Sequence, residues 1–389
     1  MELCKKKRFL YIVEANLDSG SGKCALELIQ LFKNSTDFEP VVVTQYFNDL
    51  NIKCDELLVE NYNTHYARTC SLGMGMLGWA IAFFCRPFLN FFSYRKLKKK
   101  IDFSAIRLIH SNSSSIDFGA YLHKKLHIPH IWHIREFLVF DCFWTPIIRN
   151  LPNYISQNSS QVVTVSNQLK DFLQRKTHNQ NITTFYDGVC HSNENKETRK
   201  KNTSNKLRLV CVGNLAPIKG QDFLLDAISL LPPQVLNDIS IDFYGTDIGG
   251  FEQKLKSIVH DKSIEHVVSF KGFCNNVFNI LPNYDVGIQP SHTEGFSRVP
   301  IEYMLAGLCV IGNKDTSIQE LIEDGKNGLL YKDYDLQSLA DKISFCFFNR
   351  MEMNSIGLLA QKNALDNYCI EKNFYKIVDM YNQVMELKC

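Results

Sequence analysis

The sequence predicts two doubly wound α/β domains, each a parallel sheet with crossover helices. Apolar runs of four to six residues alternate along the chain with longer segments of helical period, as strands buried on both faces do. At 389 residues the chain is too long for one ordinary hydrophobic core. The stretch 191–206 is almost wholly polar and charged, the composition of a linker. The expected division is therefore a first domain over 1–190, the linker 191–206 and a second domain over 207–365. A last helix over 366–389 carries an apolar stripe, Phe374, Ile377, Val378, Tyr381, Val384 and Met385, which must pack on something, most simply back across the first domain.

With 45% hydrophobic and 22% charged residues the chain is globular. The 43 Lys and Arg against 41 Asp and Glu leave a net charge of +2, so nothing global favours nucleic acid. Thirteen cysteines without a CxxC pair read as buried thiols in a reducing compartment. Lys5 to Arg8 precede only five apolar residues, Phe9 to Val13, a run too short for a signal-peptide core and suited to a first buried strand. A cytoplasmic protein is expected.

Further strands of the first domain are expected at Val41–Thr44, Leu57–Val59, Ile106–His110, His130–Ile134 and Val162–Val165. After the first strand, Gly20-Ser21-Gly22 feeds a helix. The spacing fits neither a P-loop nor a dinucleotide fingerprint, leaving a tight strand-to-helix turn or a loop that offers backbone amides to an anion. Leu72 to Cys85 is a run of fourteen residues without a charge, followed by Phe88, Leu89, Phe91 and Phe92 and then by Arg95, Lys96, Lys98, Lys99 and Lys100. It falls short of a transmembrane span, which would also split one sheet. The segment 72–100 reads as an interfacial anchor on an anionic membrane, or else as a buried helix with a solvated basic end. Five histidines, His110, His123, His127, His130 and His133, crowd together, but no carboxylate is spaced to complete a metal shell, and no metal is expected. His133, with Arg135 and Glu136 beside it, closes a strand where open α/β sheets bind ligands. It reads as a group that orients a hydroxyl or handles a proton, or as an ordinary strand-end histidine.

Strands of the second domain are expected at Leu207–Val212, Ile239–Tyr244, Val267–Phe270, Asp285–Gln289, Leu308–Ile311 and Gly328–Tyr331. The first runs into Gly213-Asn214 and a Gly/Pro loop whose Lys219 is a point charge suited to phosphate, or simply a surface lysine. The fourth runs into Ser291 to Gly307, with Glu294 and Glu302 eight positions apart and Pro300 placed to open a helix. The helix amides from about Ser297 to Val299 would face a phosphate, and Glu302, one turn in, a diol. Alone, the two acids read equally as solvated helix-end carboxylates.

Taken in order, Gly20 to Gly22, His133-Ile134-Arg135-Glu136, Asp187-Gly188-Val189, Gly213 to Gly220, Glu294 to Glu302 and Glu320 to Gly328 resemble glycosyltransferase family 4 over nearly the whole chain. The resemblance implies the GT-B fold, two Rossmann-like domains facing a central cleft. It also implies a retaining transferase that takes a hexose-type sugar from a UDP- or GDP-sugar without a metal or other cofactor. The acceptor would be a glycan or lipid-linked glycan in surface polysaccharide synthesis, and the enzyme would sit in the cytoplasm or on the inner face of the membrane. By the same resemblance Glu294 contacts the transferred sugar and Glu302 holds the ribose. Phe296 and Ser297 offer amides to the diphosphate, Lys219 neutralises it, Gly20 to Gly22 close on the phosphates, and His133 is the family's cleft histidine. Asn214 stands where the family often has Arg, with Arg298 the candidate substitute; Asp187 stands where an Asn is usual, and Thr316-Ser317 where a Gly pair is. Two other readings stay open: a nucleotide-sugar epimerase of GT-B fold, and a non-catalytic sugar-nucleotide-binding partner.

Overall fold

The computed structural model describes residues 6–14, 16–17, 19–35, 37–72, 76–137, 144–179, 181–191 and 205–386. The chain forms two compact units, Met1–Gly188 with Ile370–Cys389, and Val189–Cys369. Most of the stretch expected as a linker, 192–204, lies outside the described residues.

The first unit runs β1 (Lys7–Val13), α1 (Gly20–Ser35), β2 (Phe38–Thr44), α2 (Asp49–Glu56), β3 (Asn61–Asn63), β4 (Cys70–Leu72) and α3 (Met76–Leu97). It continues through β5 (Ile106–Ser111), α4 (Phe118–Leu126), β6 (His130–Ile134), β7 (Trp144–Pro146), α5 (Leu151–Gln157), β8 (Gln161–Thr164), α6 (Asn167–Thr177) and β9 (Ile182–Thr184). Seven strands make one parallel sheet in the order β3-β2-β1-β5-β6-β8-β9, while β4 and β7 pair separately and antiparallel. The final helix of the chain (Ile370–Glu386) belongs to this unit. Its Phe374, Ile377, Met380, Tyr381 and Val384 share a core with Phe9, Phe32 and Phe38, and the Tyr381 ring stacks on Phe32 at 5.2 Å.

One expectation fails here. Leu57–Val59 is not a strand: the chain turns there after α2, with Leu58 left-handed at φ 54° and exposed, and the edge strand forms at Asn61–Asn63. The apolar alternation marked the turn because Val59 tucks its side chain under the sheet while Leu58 points out. Most of the segment 72–100 is one unbroken 22-residue helix, α3, which is long and apolar enough to cross a membrane by length and composition yet is bonded along the first unit through Trp79, Arg86 and Asn90. Arg86 and Pro87 do not end it, because Arg86 pairs with Asp117 on the protein side.

The second unit runs β10 (Leu207–Val212), α7 (Gln221–Ile228), α8 (Pro233–Leu236), β11 (Ile239–Tyr244), α9 (Phe251–Asp261), β12 (Val268–Gly272), β13 (Val286–Gln289), α10 (Arg298–Leu305), β14 (Cys309–Asn313), β15 (Leu329–Tyr331), α11 (Leu336–Phe348) and α12 (Arg350–Asn367). The last helix of the chain, in the first unit, is thus α13. The second sheet is parallel in the order β12-β11-β10-β13-β14-β15, the Rossmann arrangement, and its direction of growth reverses between β10 and β13. That reversal sets the loops after these two strands side by side. Helix α10 sits tightly over β13: a Cβ on Gly287 would lie 2.3 Å from the Tyr303 ring, and the Val212 amide donates to the Tyr303 hydroxyl at 2.7 Å.

Replacing Gly287 with Ala therefore forces α10 outward. The expected cost is about 1–3 kcal/mol by overpacking, read as a lower unfolding midpoint in denaturant; an unchanged midpoint would mean that the ring moves aside freely.

Candidate active site

In the second unit the loop after β10 is shaped by two glycines. Gly213 leaves the strand at φ 151°, and Gly220, left-handed at φ 68°, passes so close to the next loop that a Cβ would stand 2.2 Å from the Pro290 carbonyl oxygen. The His292 amide donates to the Ile218 carbonyl at 3.1 Å, fastening the two loops together. Lys219, between these contacts, thereby reaches Glu294: Nζ lies 2.6 Å from Oε1. The same oxygen accepts from Ser291 Oγ at 3.0 Å and Gln289 Nε2 at 3.2 Å, and Asn313 Nδ2 holds the Ser291 carbonyl at 3.0 Å. Glu294 is buried and Lys219 half-buried, so the pair sits in a medium where charge interactions exceed those of the open surface.

Glu294 leads directly into α10. Ser297 is its N-cap, extended at φ −101° and without a side-chain cap bond, and Arg298 is its first residue. Pro300 falls in the first turn, where a missing amide costs nothing. The positive end of α10 therefore lies a few residues from the Lys219–Glu294 pair. Glu302 is half-buried four positions after Arg298, and Phe296 packs its ring 6.4 Å from Tyr368. Asn214 is exposed, and its carbonyl accepts from Gln221 Nε2 at 2.9 Å.

The first unit holds a second polar group at the ends of β1, β5 and β6. His133 is buried against His110, with ring centroids 5.4 Å apart, and neither nitrogen of His133 has a hydrogen-bond partner among the described residues. His110 Nδ1 meets the Tyr381 hydroxyl of α13 at 2.5 Å, while His110 Nε2 and Asn112 Nδ2 are also buried without partners there. Buried polar atoms of this kind are normally satisfied by water or by a ligand. Burial, then the Arg135 charge and His110, push the pKa of His133 well down, so the imidazole is neutral and acts by hydrogen bonding and not as a cation. Arg135 is spoken for: it donates to Asn112 Oδ1 at 2.8 Å and to both Asp187 oxygens at 2.9 and 2.7 Å. Glu136 accepts from the Ser113 hydroxyl and the Ser114 amide at 2.9 and 2.8 Å.

Gly20 opens α1, but Gly22 serves the turn itself. A Cβ there would lie 2.0 Å from the Asn16 carbonyl oxygen, and its amide donates to Ser19 Oγ at 3.1 Å, with Ser21 Oγ 3.2 Å from the same hydroxyl. His123 Nδ1 donates to the Ile128 carbonyl at 2.7 Å and His127 caps α4 in the left-handed region. Among the described residues no three His, Cys, Asp or Glu side chains come together as a metal would need.

Sequence reasoning did not find Gln289, Ser291, Asn313, His110 or Tyr381. Gln289 and Asn313 carried a usable signal, since each closes an otherwise apolar strand at its carboxyl end. Tyr381 carried none, being one member of an apolar stripe.

Two parallel sheets, with a basic loop and a buried glutamate meeting at the second sheet's switch point, define the GT-B class of α/β protein. The comparisons agree. The family model for glycosyl transferases group 1 matches residues 193–358, and that for Glycosyltransferase Family 4 matches 67–193. An uncharacterized glycosyltransferase of Methanocaldococcus jannaschii is 30% identical over 271 residues, 68% of this chain and 72% of that one. The chain belongs to glycosyltransferase family 4. Poly(ribitol-phosphate) alpha-N-acetylglucosaminyltransferase of Staphylococcus aureus is 25% identical over 172 residues, 44% of this chain and 34% of that longer protein. HepE of Anabaena, solved in complex with UDP and glucose, superposes with a TM-score of 0.78 at 18% identity, covering 97% of this chain and 100% of that one, which shows the same fold.

A depressed histidine pKa has a signed consequence for stability. Below about pH 6.5 the unfolded chain protonates His133 while the folded unit does not, so this contribution is present above that pH and is lost as pH falls. Replacing His133 with Gln should flatten the fall of unfolding free energy between pH 7 and pH 5.5 by up to about 1.4 kcal/mol per pH unit. Parallel slopes in denaturant titrations of the two proteins would show that His133 titrates normally.

Proposed function

We propose that the chain moves a hexose-type sugar from a nucleoside diphosphate sugar to a glycan or lipid-linked glycan, with retention of configuration and without a metal. The reading rests above all on the Lys219–Glu294 pair beside the start of α10. The second unit is assigned the donor. A diphosphate leaving group gains negative charge as its bond to the anomeric carbon breaks, and preorganised positive groups speed that step most when water is excluded. Lys219 supplies a charge, with Arg298 at the helix start, and the amides of Phe296, Ser297 and Arg298 supply the dipole end. The acceptor oxygen forms its bond to the anomeric carbon on the face the phosphate leaves, and its proton passes to the departing phosphate oxygen. Glu294, held on one oxygen by three donors, is assigned the sugar hydroxyls, and Glu302 the ribose diol.

The first unit is assigned the acceptor, with neutral His133 orienting a hydroxyl and the Gly20–Gly22 turn facing phosphate. HepE was solved with UDP and glucose, which supports a UDP-sugar over a GDP-sugar. The Staphylococcus aureus relative acts on a poly(ribitol-phosphate), which supports a polymeric surface-glycan acceptor. The segment 72–100, of which 73–75 lie outside the described residues, is assigned contact with an anionic membrane at its cytoplasmic face.

The test is acceptor-dependent release of UDP from a panel of UDP-sugars. Glu294→Ala and Lys219→Ala should each lower turnover by about 10²–10³-fold with the melting temperature little changed. Turnover like that of the unaltered chain in either variant would overturn these assignments, and sugar inversion without an acceptor would point to an epimerase.

A further inference from the structure

Helix α3 is amphipathic in the wrong sense for a soluble surface. Leu77, Ile81, Phe84, Phe88 and Phe92 recur at three- and four-residue spacing, form one stripe, and are 76%, 57%, 69%, 64% and 65% exposed. Its polar side faces the protein. Arg86 Nη1 and Asn90 Nδ2 bind the buried Asp117 carboxylate at 3.1 and 2.7 Å, the Ala67 amide donates to Asn90 Oδ1 at 2.9 Å, and the Trp79 indole donates to the Pro146 carbonyl at 3.0 Å. These bonds hold the helix along the unit, so it does not cross a bilayer while they persist. The stripe continues into Arg95 and Lys99 at the same spacing.

At that end the charges gather around two aromatic rings of the helix, Tyr94 and Phe91. Lys98 Nζ of the turn after α3 and Lys125 Nζ of α4 lie 6.0 and 5.3 Å from the Tyr94 ring centroid, and the Arg95 guanidinium 5.9 Å from that of Phe91. Together with Lys99 they line a hollow of about 650 Å³. None of these four cations has a carboxylate partner among the described residues. Cations drawn from two elements onto one ring repel one another, and a bound anion removes that cost.

We propose that Arg95, Lys98, Lys99 and Lys125 form a binding site for the phosphate of an anionic phospholipid headgroup, occupied when the α3 stripe lies in the membrane interface. The inference rests on the membrane contact read above and adds to it a defined site. An apolar stripe sunk into the headgroup–acyl boundary places a basic cluster at its end level with the phosphates. The stripe alone would suit a second copy of the chain equally well; the unpaired cations at its end select a phosphate-bearing surface.

The experiment is co-sedimentation of the full chain with vesicles of phosphatidylcholine alone or mixed with phosphatidylglycerol. The unaltered chain should prefer the mixed vesicles. The double variant Lys98→Glu, Lys125→Glu should lose roughly thirty-fold or more of that preference, at about 1 kcal/mol per cation. The control Arg175→Glu, Lys176→Glu, which changes charge equally on α6, should lose little. Equal losses in the two variants would overturn the site in favour of net charge alone, as would an unchanged preference in the first. Phe84→Ser with Phe88→Ser should abolish binding to both vesicles. Failure of the unaltered chain to bind either would instead overturn the membrane contact itself, and a dimer in size-exclusion chromatography that this last variant dissolves would assign the stripe to a second copy. Circular dichroism melts confirm that each variant is folded.

Discussion

The second unit depends on a close passage of two backbones. Gly220 can approach the Pro290 carbonyl only because it has no Cβ, and it can turn there only because a left-handed φ of 68° costs it nothing. Sheet topology brings the two loops to the same end of the sheet, and that contact fixes their distance. Lys219 and Glu294 are 75 positions apart in sequence yet share a 2.6 Å contact as a consequence. Gly287 acts in the same way one step further out, letting Tyr303 settle on β13 and so setting where α10 begins. The geometry of the charged groups is thus inherited from two places where a side chain is missing.

The first unit handles its buried charges differently, by pairing them within the sheet end. Arg135 is held by Asp187 through Nη1 and by Asn112 through Nε, which accounts for an acid at 187 where the family resemblance leads one to expect an amide: the guanidinium is buried and needs a counter-charge. That pairing also shapes His133. Buried, and with a fixed positive charge beside it, the imidazole stays neutral and keeps both a donor and an acceptor to offer. Tyr381 reaches the same cluster from the far end of the chain through His110, so the final helix contributes to the polar site as well as to the core.

Much of this was legible in the residues. Strand runs buried on both faces announce themselves as unbroken apolar stretches, and all six expected strands of the second unit form within one or two residues of their expected bounds. Glu294, Glu302 and Lys219 stood out only in company: alone each reads as a solvated charge, and it is their order among the other glycine-rich turns that marked them. The short pieces were not legible. β3, β4 and β7 have three residues each, and their existence depends on a neighbouring edge and not on their own composition. Ser291 was hidden for another reason: it reaches Glu294 through the loop's path, which sequence spacing does not encode.

Helix α3 shows how a rule of thumb on composition can mislead in one respect and hold in another. Counting uninterrupted apolar residues divides the segment at Arg86, because a lone charge in a hydrophobic run is expensive in a bilayer. In the folded unit Arg86 turns inward to Asp117, whose pKa burial pushes up and which Arg86, Tyr154 and Asn90 oppose by binding the ionised form. The charge is therefore spent on fastening the helix, and the outward face remains apolar. A helix fastened by polar groups and exposed by apolar ones gains little from burial against its own protein; its hydrophobic surface remains available to another phase. The same inversion explains why the cations collect at one end: on a helix whose polar face is already committed inward, the remaining charge can reach water only past the last apolar turn.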